Sequence, residues 1–311
     1  MATGRAIKNR IRSTQSIRQI TKAMEAVSAV KMRKSEAAAI KGRPYALHAI
    51  SILKHIQDSL GELPEGSPLF EKRESAERGG GKNLLVVITS DKGLAGSFNS
   101  NVIRKAEQIL KESNADILAI GKRGRDYFAR KGKKIAKSYD GIGDYAEMQE
   151  AESISKDIIA LFENKSYDRI DVVYTTFISA LKQEATLRPL LPLNTDTVRA
   201  VIENIIPATG KFSELRETAL NGDYDFKFEP NPEEIVKNLV PALVEIEVFH
   251  SILEANASEH AARMVAMKNA SENAKDMIGS LTISYNKARQ AQITKELIEI
   301  TSGKEALANA E

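Results

Sequence analysis

The chain has 311 residues, 42% apolar and 28% charged, with a net charge of +3, enough for one large domain or two smaller ones with a real core. It has no cysteine, no tryptophan and only 5% aromatics, which excludes disulfides, thiolate catalysis and cysteine-ligated zinc and leaves packing to alanine, isoleucine and leucine. No apolar run reaches the roughly 18 residues of a membrane helix, and the Arg-rich start runs straight into a helical pattern, so a soluble chain without a Sec-type or transit leader is expected.

In chain order, Ile7, Ile11, Ile17, Ile20, Met24, Val27 and Val30 recur mostly three or four apart and predict an amphipathic helix. Over residues 1–45 eleven basic side chains stand against Glu25 and Glu36, a local charge of +9, so this end seeks an acidic neighbour. Between Met1 and Arg43 there is no Tyr, Phe or Trp to stack on bases, which disfavours a single-strand nucleic-acid reader. Gly42 and Pro44 together cost about 4 kcal/mol inside a helix and predict a kink or short break. The pattern resumes at Ala49, Leu53, Ile56 and Leu60.

Residues 61–82, with Gly61, Pro64, Gly66, Pro68 and the run Gly79–Gly81, read as a linker. Beyond it the period changes. Leu84–Thr89, Ile117–Ile120, Ile135–Ser138 and Ile170–Phe177 read as strands, alternating with helices over Ser97–Lys111, Arg123–Lys131 and Ala146–Glu163. Such alternation implies a small open α/β sheet. Thr186–Leu193 and Tyr224–Phe228 are expected to add strands, with 194–221 a poorly determined insertion.

Asn231-Pro232-Glu233-Glu234 has the form of a helix start. Apart from Pro241 and Gly279 nothing interrupts helical character to Thr301, and sixty or so helical residues would span about 90 Å. A helix of that length needs a partner. The spacing of Phe249, Leu253, Met267, Ala270, Ala274, Met277, Leu281, Ser284, Ala288 and Ala291 predicts a coiled-coil seam against the opening helix. The expected fold is therefore α/β with a long antiparallel coiled coil: N- and C-terminal helices wound together, and between them a small open, Rossmann-like sheet domain. The expected divisions are 1–60, 61–82, 83–230, 231–303 and a tail, 304–311.

Few residues point to chemistry. Thr89–Asn99 falls between a strand and a helix, where nucleotide-binding folds place phosphate loops, but only Gly93 and Gly96 of a glycine pattern are present. It reads as a tight turn with Ser97 near the N-cap. His48, His55, His250 and His260 lack neighbouring ligands at metal spacing, and no Ser/His/Asp set or carboxylate pair can be placed. No cofactor or metal is expected. On residues alone, an α/β nucleotide-binding enzyme with a coiled-coil arm and a nucleic-acid-binding coiled-coil protein remain open.

Four co-linear stretches carry a family resemblance: Ile20-Thr21-Lys22-Ala23-Met24-Glu25-Ala26-Val27 through Lys34, the Asp91–Asn99 loop, Ser258-Glu259-His260-Ala261-Ala262-Arg263 through Lys268, and Tyr285-Asn286-Lys287-Ala288-Arg289-Gln290-Ala291-Gln292-Ile293-Thr294-Lys295-Glu296. Together they resemble the gamma subunit of rotary, F-type ATP synthases, over essentially the whole chain. The chain departs from the family pattern at Gly303-Lys304, where Gly-Ala is usual, and at Ala95, where Cys is common. The resemblance implies a non-catalytic central shaft whose partners are the alpha, beta and epsilon subunits and the membrane c ring. It implies attachment to the cytoplasmic face of a bacterial inner membrane through the complex, with proton or sodium flow coupled to ATP synthesis. It further implies that Met24, Arg263, Arg289, Gln290, Thr294 and Glu296 meet the beta subunit, and that Glu229 faces the c ring.

Overall fold

The computed structural model describes residues 4–60, 68–70, 73, 81–143, 148–193, 229 and 231–308. The expected strand Tyr224–Phe228 and the insertion 194–221 lie outside them. Two compact units divide the chain, Met1–Val27 with Arg263–Glu311, and Ser28–Ala262.

The larger unit is built on a five-stranded sheet. Strands β1 (Asn83–Ile88), β2 (Ala115–Ile120), β3 (Ile135–Tyr139), β4 (Arg169–Phe177) and β5 (Gln183–Leu191) stand in the order β3-β2-β1-β4-β5. The β1–β2, β2–β3 and β1–β4 pairs are parallel, as the βα alternation predicts, whereas β5 returns antiparallel to β4 through a hairpin. β1 and β2 are buried on both faces, which explains their unbroken apolar runs.

Helices α2 (Phe98–Glu112) and α3 (Lys122–Arg130) connect β1 to β2 and β2 to β3 and cover one face. There Val102, Ala106, Leu110 and Phe128 pack on Leu85, Val87, Ile117 and Val173. Between β3 and β4 the chain turns to the other side of β1, so α4 (Met148–Glu163) covers the opposite face. On that face Ile154, Ile158 and Phe162 of α4 join Leu84, Val86, Leu118 and Val172 of the sheet and a run of α5 (Pro232–Ala308) from Val236 to Ala255.

α5 starts as its first residues predict: Asn231 is the N-cap, its side-chain oxygen accepting the Glu234 N–H at 2.8 Å, with Pro232 in the first turn. Its segment Leu243–Ala255 is buried on nearly every side. Phe249 and Leu253, expected in the coil seam, instead belong to this core.

The opening helix α1 runs without a break from Gly4 to Leu60, through Gly42 and Pro44. Ala38 and Ile52, on either side of that pair, pack against the same core, which offsets part of the roughly 4 kcal/mol of local cost. The linker 61–82 contains a 3-10 turn, Pro68–Phe70, whose Leu69 is fully buried in the core. Further along the linker, Arg73 stacks its guanidinium over the Phe162 ring at 4.2 Å and donates to the Phe162 and Tyr167 carbonyls, both at 2.7 Å, so it caps the end of α4.

Candidate partner-binding surfaces

The strand-to-helix loop after β1 is the place to look for a nucleotide. Ser90 donates its N–H to Asn99 Oδ1 at 2.9 Å and its hydroxyl to the Lys92 carbonyl at 2.6 Å, which folds the loop tightly onto the first turn of α2. Ser97 stands at the N-cap as expected, although its hydroxyl makes no capping bond. Gly96 takes a positive φ of 54°, the conformation that favours glycine, and Ala95 is buried.

A cleft of about 220 Å³ opens beside this loop, lined in part by Thr89, Asp91, Gly121, Gly141, Asn256 and Glu259. Asp91 is fixed in place: Oδ1 accepts the Lys122 N–H at the start of α3 at 2.9 Å, and Oδ2 accepts the Gly141 N–H at 2.8 Å. Two backbone amides at this cleft, at the start of α3 and at Gly141, are thus paired with the chain's own carboxylate. Among the described residues no group of three or more His, Asp or Glu is placed to hold a metal. His250 and His260 are buried in α5, and the side chains of His48 and His55 lie outside the described ones.

The other unit is a helical pair. A Cβ placed on Gly4 would lie 3.9 Å from the Tyr285 ring, and the Thr14 hydroxyl is 4.0 Å from the Met277 sulfur. Contacts therefore move forward along α1 as they move back along α5, the antiparallel arrangement expected. The seam differs from the expected one. On α1 the buried residues of this unit are Thr14 and Thr21, seven apart, with Ile7, Ile11, Arg18 and Glu25 half-buried around them. On α5 it follows Met267, Ser271, Ala274, Ile278, Leu281, Tyr285 and Ala288, at alternating steps of four and three. Ser271, Ile278 and Tyr285 thus join the expected Ala270 and Met277 at this seam, while Ser284 and Ala291 are exposed.

Small hydroxyl residues fit this seam because they satisfy themselves. Thr14 donates to the Arg10 carbonyl at 2.8 Å, and Thr21 to those of Ile17 and Arg18 at 3.0 and 3.1 Å, leaving only a methyl-sized surface to the partner helix.

The apolar stripe of α1 consequently points outward. Ile17, Ile20, Val27 and Val30 are 51%, 60%, 54% and 54% exposed, with Met24 half-buried on the same stripe. The tip of α5 is similar: every residue from Ala291 to Ile300 is exposed, including Ile293, Leu297, Ile298 and Ile300. Contiguous exposed apolar side chains of this kind mark an interaction surface. Arg289, Gln290, Thr294 and Glu296 lie exposed at this end, and Glu296 accepts from Gln292 at 3.0 Å. Arg263 is buried, and Glu229 is exposed just before α5. The structure brings Arg289, Gln290, Thr294 and Glu296 onto one helical segment, with Met24, Arg263 and Glu229 elsewhere.

A family model described as ATP synthase matches residues 3–307. The ATP synthase gamma chain of Moorella thermoacetica is 39% identical over 99% of this chain and 100% of its own length, and that of Heliobacterium modesticaldum 38% over 97% and 98%. Among solved structures, a chain from the central stalk and c ring of the Tetrahymena thermophila mitochondrial ATP synthase is 25% identical, with a TM-score of 0.56 over 81% of this chain and 99% of that one. A chain from the Euglena gracilis mitochondrial enzyme shares the fold at 20% identity, with a TM-score of 0.66 over 98% of this chain and 94% of that one. A coil that turns its apolar stripe outward and full-length matches at this identity converge on one conclusion: the chain belongs to the ATP synthase gamma chain family.

Proposed function

We propose that the chain is the non-catalytic rotor shaft of an F-type ATP synthase, coupling proton or sodium flow through a membrane c ring to ATP synthesis in a ring of alpha and beta subunits. The observation that carries this reading is the outward apolar stripe Ile17–Val30 on a two-helix coil. Apolar contact is non-directional, so it lets a surface bear against successive partners without a bond that must break at each step. Burying half-exposed side chains of this size is worth on the order of 1 kcal/mol apiece. The chemistry belongs to the ring; the shaft's uneven surface shifts each beta subunit in turn between states of different nucleotide affinity.

In this reading Arg289, Gln290 and Thr294 grip a loop of beta with Glu296 in the same network; Arg263, about 50 Å back along α5, and Met24 meet beta at separate points, while Glu229 faces the c ring and the epsilon subunit sits at the lobe. Charge-assisted bonds from arginine suit contacts that form and release. The basic opening segment complements an acidic face of beta. Association with the membrane is peripheral and through the complex, at the cytoplasmic face of a bacterial inner membrane; no helix among the described residues is long and apolar enough to cross one.

The direct test is co-purification: tagged chain should bring down a nucleotide-binding hexamer, and its failure to do so from cells that assemble the complex would refute the reading. Arg289→Ala with Gln290→Ala should slow ATP turnover of the assembled complex roughly tenfold, a loss of about 1.4 kcal/mol at the grip. Unchanged turnover would remove these two residues from it.

A further inference from the structure

The face of α5 that lies against β4 and β5 is not apolar. Glu247, His250, Ser251, Glu254 and Ser258 fall along one side of the helix, and all are buried, none more than 7% exposed. Facing them are Tyr174 and Thr175 of β4 and Arg188 of β5. Arg188 Nη1 lies 3.8 Å from Glu247 Oε1, and its guanidinium sits 5.1 Å over the Tyr174 ring. The Ser258 hydroxyl donates to the Thr175 carbonyl at 3.1 Å. Along the helix itself, His250 Nδ1 is 3.7 Å from Glu254 Oε1.

Such a stripe costs stability, because burying charged and polar groups loses hydration that their mutual contacts barely restore. Apolar residues of equal volume would hold the helix to the sheet at least as firmly. What they cannot do is choose a register. Ridges on a helix repeat at every turn, so sliding by about 5.4 Å re-presents nearly the same apolar surface. The rest of α5 in this unit, with Val244, Ile246, Val248 and Ile252 all buried, offers little such distinction. Polar partners at fixed places do, since a slip leaves each of them unpaired.

We infer that the stripe is a register lock: Arg188 and Glu247 at one end and Ser258 with the Thr175 carbonyl at the other fix the axial and rotational setting of α5 on the β4–β5 face. Its purpose rests on the rotor reading, in which a helix that slipped on its lobe would lose torque. The lock itself is a property of the chain alone.

The chain has no cysteine, so spin labels on Leu181→Cys and Lys237→Cys, both at exposed positions, report the spacing of the β4–β5 hairpin and α5 in the full-length protein. The parent should give one narrow distance distribution. Arg188→Met with Glu247→Leu should melt no earlier than the parent, yet show a second population displaced by about 5 Å, one helical turn. In the assembled complex, ions pumped per ATP hydrolysed should fall about twofold once the two registers are equally populated. If that variant loses its helical circular dichroism, the shape-conserving pair Ser258→Ala with Glu247→Gln is read the same way. An unchanged narrow distribution in the folded variant overturns the lock, and a lost register with an unchanged pumping ratio overturns its mechanical role. A parent chain that captures no hexamer would sink the rotor reading while leaving the distance measurement to decide the lock.

Discussion

Gly121 is where the lobe tolerates no side chain. It takes a φ of +96°, and a Cβ there would stand 2.0 Å from the Thr89 carbonyl oxygen. Its N–H donates to the Tyr139 carbonyl at 2.8 Å, so β1, β2 and β3 all meet at this point. Gly121→Ala should destabilise the protein by about 2–5 kcal/mol, combining backbone strain with overpacking, as read by denaturant unfolding. A midpoint within error of the parent would contradict this. Glu247 makes a different prediction. Burial pushes its carboxyl up from 4.5, with Arg188 acting in the opposite direction. A carboxyl held above its unfolded value favours the folded state while protonated and loses that contribution as pH rises through the folded value. Glu247→Gln should therefore flatten the fall in stability as pH rises above the ordinary carboxylate range, measured by melting at a series of pH values; parallel curves would exclude the effect.

At the scale of elements, the outward stripe of α1 separates folding from binding. Ile17→Ser with Ile20→Ser changes side chains already more than half exposed, so the chain's own unfolding should move by no more than about 0.5 kcal/mol. Retention of the partner ring should weaken by roughly 1–2 kcal/mol, tenfold or more in dissociation constant; equal retention would show that the stripe contacts nothing. This stripe also marks the limit of what the sequence discloses. The parallel strands were legible because Leu84–Thr89 and Ile170–Phe177 are apolar runs of buried-strand length, and the start of α5 because Asn231 and Pro232 have a direct mechanical reading. β5 begins earlier than expected, at Gln183, because its polar start lies along an edge. The coil was legible as a pair of helices, but its seam was not: Thr14, Thr21 and Ser271 look like surface residues until they are seen buried between the helices, the threonine hydroxyls satisfied within their own helix. The more apolar positions attract the eye to the seam when they belong to the outside. Asp91 was equally hidden, since its partners at Lys122 and Gly141 are 31 and 50 residues away.

Across the whole molecule, the two units differ in what holds them. The larger has two apolar clusters flanking a sheet, whereas the helical pair relies on a thin seam of alanine, serine, threonine and a few larger side chains. Local opening should therefore be graded. Amides from Glu272 to Ile300 are expected to exchange with solvent roughly tenfold or more faster than those of β1 and β4, and uniform protection across both would refute that ordering.

The helical pair is also unequal in length. Tyr285 reaches the level of Gly4, yet α5 continues to Ala308. An isolated helix of that size is marginal in water, but this one inherits its nucleus from the coil and only has to propagate, supported by pairs such as Lys295 with Glu299 at 3.6 Å. Such an end can shorten or lengthen by a residue at a time without disturbing anything behind it. Its reach is thus an adjustable quantity, and a misfit at that end would be absorbed by fraying instead of being transmitted as strain.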